Sequence, residues 1–152
     1  MKQILITWLV CLGLVSAAPA AGPASKFDAA LAAELGADDY GMRRYVMAFL
    51  KAGPNRPENP EAAAALQRGH MAHIRSMAAE GKLVVAGPFL GRGELRGIFI
   101  FAVDTLEEAE ALVAADPAVE FGSLVMELKP WYGSAALMKV TEIHDDITRS
   151  VP

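Results

Sequence analysis

Two residues far apart in the chain are of the types that together move protons: His70, in GHMAHIRSMAAEGKLVVAGP, and Asp116, in LEEAEALVAADP. Histidine titrates near neutral pH, and a carboxylate held against one ring nitrogen sets the tautomer and basicity of the other. On a helical wheel His70 falls at the centre of an apolar stripe formed by Ala63, Leu66, Ile74 and Met77, so it points inward. A polar ring in that position needs a partner, because an unsatisfied buried polar group costs about 1–3 kcal/mol. Asp116 is a candidate, since it stands where the second long helix ends and the chain turns toward the last strand. Two readings stay open. One is a dyad in which Asp116 orients His70 and His70 transfers the proton. The other is a satisfied core histidine, together with a helix-end aspartate that bonds nearby backbone N–H groups.

Other chemistry is less well supported by the residues. His70 and His73 are three apart and can reach one metal ion, yet no third ligand has recognisable spacing. His144 sits among Glu142, Asp145 and Asp146 in a polar tail, where solvation is the simpler reading. Ser134 lacks the strand-turn-helix context of a hydrolase nucleophile. Gly91-Arg92-Gly93 is not followed by a helix start, so it is a loop rather than a phosphate cradle. Nothing in the pattern calls for a metal or an organic cofactor. Met47, Phe49, His73, Pro88, Phe99 and Trp131 are the candidate contacts for a small organic ligand, against the plainer alternative that the apolar ones are core.

The elements that must position these residues read as follows. A lead-in covers residues 21–43, with a short amphipathic stretch from Phe27 to Leu35 stopped at Gly36, and it is expected to pack weakly. The first strand runs from Arg44 to Leu50. Tyr45, Met47 and Phe49 lie on one face, and Val46, Ala48 and Leu50 on the other, so both faces call for cover. A helix follows from Pro60 to Glu80, with Asn59 as N-cap, Pro60 in the first position and Gly81 as the stop. Lys82–Ala86 and Gly97–Val103 are the next strands. Thr105 and Glu108 form a capping box opening a second helix, which Asp116-Pro117 terminates. Leu124–Tyr132 is the last strand, and residues 134–152 are a tail. The order β-α-β-β-α-β predicts a ferredoxin-like split βαβ unit of α+β class over residues 44–133, with an antiparallel sheet and both helices on one face. The bare face is most simply covered by a second copy in a two-fold homodimer.

Residues 1–20 place Lys2 before an apolar run from Ile4 to Val15 and then small residues up to Ala20, the pattern of a signal peptide, too short to span a membrane. The expected location is periplasmic or secreted. Cleavage there removes the sole cysteine, Cys11, and with it any disulfide or thiolate chemistry. It also removes one base of 14 and no acid of 18, which takes the net charge from −4 to −5. An acidic chain without a basic stripe argues against nucleic acid as a partner, and no membrane association is expected after cleavage.

HMAHIRSMAAEGKLVVAGPF, LRGIFIFAVDTLEEAEALVAADPAV and VMELKPWYG resemble the YCII-related (YciI-like) domain family from about Tyr45 to Tyr132. The resemblance implies a ferredoxin-like fold paired as a dimeric α/β barrel, with an active-site His and Asp that fall on His70 and Asp116. It also implies cofactor-independent isomerase or lyase chemistry of the dehydrohalogenase type; the rival expectation is a ligand-binding or stress-related module without turnover. The signal peptide and the lead-in set this chain apart from the short members of that family.

Overall fold

Strand β1, Met42–Ala52, runs through the interior of a four-stranded antiparallel sheet. A computed structural model of the protein describes residues 26–91 and 93–150. The expected signal peptide, Cys11 and Arg92 lie outside the described residues. Helix α1 is Ala29–Glu34, capped by Asp28, whose carboxylate accepts from the N–H groups of Ala30 and Leu31. Helix α2 is Pro60–Ala79, β2 is Leu83–Pro88, β3 is Leu95–Phe101 and α3 is Leu106–Ala114. Then come the one-turn helix α4, Pro117–Glu120, and strand β4, Leu124–Ser134. A 3₁₀ turn, Ala135–Lys139, leads into α5, Val140–Ile147.

The sheet order is β2-β3-β1-β4. β4 pairs with β1 along its whole length, from Met42 opposite Ser134 to Ala52 opposite Leu124. This pairing extends β1 two residues beyond each end of the run from Arg44 to Leu50 that alternation marks out. On β3, Phe99 lies opposite Ala48 and Phe101 opposite Val46. Side chains alternate across a strand, so Val46, Ala48, Leu50, Phe99 and Phe101 share one face. Met77 of α2 and Ala109 of α3 close over them, and this is the main core. Burying Phe101 completely contributes about 1.5–3 kcal/mol.

The helix signals act as their chemistry requires. The Asn59 side chain accepts from the Ala62 N–H, and Pro60 fills the first turn, where its missing N–H costs nothing. Gly81 takes φ +68°, the left-handed conformation that ends α2. Thr105 and Glu108 form the reciprocal capping box of α3. Pro117 does more than stop a helix: Asp116 and Pro117 begin α4, as N-cap and first residue.

The opposite sheet face is partly covered by the chain itself. Tyr45, Val84 and Ile100 are buried there, with Met47, Trp131, Leu137 and Met138 packed around them. Residues 134–147 are therefore an ordered part of the fold rather than a polar tail. Ser134 serves as N-cap of the 3₁₀ turn, its hydroxyl accepting from the Ala136 N–H. The lead-in docks through a few contacts. Leu35 is buried, Arg43 donates to the Leu35 carbonyl, and Glu34 pairs with Lys139. No helix among the described residues is long and apolar enough to cross a membrane.

Candidate active site

The apolar stripe of α2 sets its rotation on the sheet, and that rotation carries His70 onto Phe99. The two rings stack with centroids 6.1 Å apart and an interplanar angle of 19°. Asp116 is brought to the same place by α3 and the tight bend that follows it. The His70 Nδ1–H donates to Asp116 Oδ2 at 2.8 Å and to Oδ1 at 3.0 Å. The His70 side chain is 12% exposed and that of Asp116 is 1% exposed, so the contact is shielded from water. Oδ1 also accepts from the Ala118 N–H at 2.9 Å. Asp116 is thus both N-cap of α4 and hydrogen-bond partner of His70.

An ionised carboxylate only accepts hydrogen bonds, so the Nδ1 that faces it carries the proton. In the neutral ring Nε2 then holds the lone pair. Among the described residues Nε2 has no hydrogen-bond partner. A histidine held in this way by a carboxylate has the arrangement that general acid/base chemistry uses.

Close packing keeps the two elements in register. A Cβ on Gly69 would lie 3.2 Å from Pro117 Cγ, so the absence of a side chain immediately before His70 lets α2 approach α4. One turn further on, His73 Nε2–H donates to the Leu112 carbonyl at 2.8 Å.

The other candidate ligand contacts divide between the two sheet faces. Phe99 stacks on His70. Pro88, opposite Gly97, lies on the same face and is exposed, as is Ala86 opposite Phe99. His73 is on this side too, but its Nε2 is engaged with Leu112. Met47, Phe49 and Trp131 are on the opposite face, because they alternate with Val46, Ala48 and Pro130. The sheet therefore separates these three from His70 within one chain. Trp131 packs on Tyr45 at 5.8 Å. Its ring crosses Gly133, where a Cβ would lie 2.3 Å from the ring.

Two hollows are present away from the dyad. One of about 380 Å³ lies on the open sheet face, lined by Phe49, Lys51, Glu94, Leu95 and Glu127. Glu127 there is held by Lys129 and Lys51, which pull its carboxyl down to about 2. The other, of about 290 Å³, includes Arg43, Arg44, Asp104 and Tyr132. Neither touches His70. Among the described residues no three His, Cys, Asp or Glu side chains are grouped to hold a metal ion.

Residues 46–132 match the model of the YCII-related domain. The chain is also similar to a solved structure of 5-chloro-2-hydroxyhydroquinone dehydrochlorinase (TftG) from Burkholderia phenoliruptrix AC1100, in complex with 2,5-dihydroxybenzoquinone. Identity is 21%, the match covers 59% of this chain and 93% of that one, and the TM-score is 0.43. No curated protein matches.

Proposed function

The chain belongs to the YCII-related domain family, and from that premise we propose that it is a small-molecule acid/base enzyme of isomerase or lyase type. His70 is the proton-transferring group and Asp116 holds it. The observation that carries this reading is the Nδ1 contact of His70 to both oxygens of a fully buried aspartate, with Nε2 left without a partner. The substrate class is a small cyclic or aromatic molecule with an acidic C–H or O–H. It approaches along the uncovered strand surface at Ala86 and Pro88, beside Phe99. His70 takes the proton through Nε2 and returns it to another atom in an isomerisation. In an elimination the departing anion takes up the electron pair instead. His70 and Asp116 need no metal or organic cofactor for either step.

The proposal includes a homodimer of the dimeric α/β barrel kind, built on the ferredoxin-like unit and paired through the open sheet face. Half-buried Met47, Phe49 and Ile98 and the hollow beside Leu95 on that face support it. It also includes export directed by residues 1–20, to the periplasm or outside the cell.

The test is turnover of a panel of small cyclic and aromatic carbon acids by wild type, His70→Ala and Asp116→Asn. Asparagine keeps the cap of α4 but no longer presents a carboxylate to Nδ1. Both variants are expected to lose on the order of 100-fold or more in kcat, with Asp116→Asn still folded by circular dichroism. Equal turnover by all three on any accepted substrate removes the assignment. A compound retained in native mass spectrometry but never converted would instead identify a binding module.

A further inference from the structure

The last turn of α3 contains an exchange of hydrogen-bond donors. In a continuing α-helix the Asp116 N–H would bond the carbonyl four residues earlier, that of Leu112. It bonds Val113 instead, at 3.1 Å. The Leu112 carbonyl is taken by His73 Nε2–H from α2, at 2.8 Å. The last carbonyls of any helix lack intrahelical donors and need outside partners, and His73 supplies one. With Leu112 occupied, the chain tightens, leaves α3 and turns at Asp116 into α4. That turn aims the Asp116 carboxylate at His70, one helical turn from His73 on the same side of α2.

From this geometry we infer that His73 is a positioning residue, which fixes the bend ending α3 and through it the Asp116 carboxylate on His70 Nδ1. The inference rests on the proposed His70–Asp116 chemistry and changes the expected role of His73 from ligand contact to orientation. His73 acts from a distance: it donates to neither His70 nor Asp116.

The experiment reads the tautomer of His70 by long-range ¹H–¹⁵N NMR on the full chain, in wild type, His73→Gln, His73→Asn and His73→Met. Asp116→Asn serves as the reference for a ring without its carboxylate. Glutamine carries an N–H donor where His Nε2 sits; asparagine carries the same group one bond short of Leu112. The expected result is a single Nδ1–H tautomer in wild type and His73→Gln. In His73→Met and His73→Asn that signature is lost toward the Asp116→Asn pattern. Should His73→Met fail to fold, the Gln/Asn pair decides the matter alone. Retention of the wild-type tautomer by a folded His73→Met or His73→Asn overturns the inference, as does its loss in His73→Gln. A wild-type ring that matches Asp116→Asn overturns the His70–Asp116 reading itself, which is a separate outcome.

Discussion

Asp38 and Tyr132 tie the segment before β1 to β4: the Tyr132 hydroxyl donates to the Asp38 carboxylate. That bond lowers Asp38 below the usual carboxylate value, helped by the Met42 N–H, and raises Tyr132 above the usual phenol value. The signs define a window. Stability from Asp38 is present above the ordinary carboxylate value and is lost as pH falls through its lowered one. Stability from Tyr132 is present below about pH 10 and is lost as pH rises through its raised value. This one tie to the lead-in is therefore kept across the neutral range and weakened at both extremes. In an alkaline titration of tyrosinate absorbance, Asp38→Asn is expected to move one of the three tyrosines to lower pH; an unchanged curve contradicts the coupling. At this scale, His70 was legible because helical spacing alone turns it inward. Asp116 had a visible reason to sit at a helix end, and the family resemblance made it the partner. The Leu112 carbonyl had no such signal, since a backbone acceptor has no letter in the sequence, and so the role of His73 could not be read.

Helix α2 carries three points of contact to the segment 112–117: Gly69 on Pro117, His70 on Asp116 and His73 on Leu112. Gly69→Ala gains about 1 kcal/mol of helix propensity but sets a methyl group 3.2 Å from Pro117 Cγ. Overpacking costs about 1–3 kcal/mol, so the net effect is a loss of up to about 2 kcal/mol. A lower melting temperature with a weakened His70 tautomer signature is the expected result, and a stabilised variant with an intact signature refutes the close-contact argument. The order of the strands and the two long helices was legible from period and caps, because Asn59-Pro60, Gly81 and Thr105…Glu108 each meet a local hydrogen-bonding need. Asp116-Pro117 was ambiguous: a proline that cannot continue one helix is equally suited to start the next. The C-terminal helix was obscured by its acids, although Val140, Ile143 and Ile147 keep an i, i+3, i+7 stripe. Alternation divided β1 correctly into two faces, but it does not say which face the helices take. That choice depends on tertiary packing, and it puts Met47 and Phe49 across the sheet from His70.

For the molecule as a whole, the open sheet face is the surface through which the proposed homodimer pairs. Phe49 stands at its uncovered end beside the hollow with Leu95, while Lys51, Glu127 and Lys129 form a charged row next to it. Phe49→Glu sets a carboxylate in that surface and is expected to convert the proposed dimer to a monomer in size-exclusion chromatography with light scattering, with unchanged circular dichroism. A variant that keeps the wild-type mass places the contact elsewhere. The C-terminal segment constrains this pairing further. Leu137 and Met138 already occupy the end of the face around Tyr45, Val84 and Ile100, so a second copy would find its room at the other end. In the proposed dimer the symmetry axis would then lie toward Phe49, away from the end of the face that the chain covers itself.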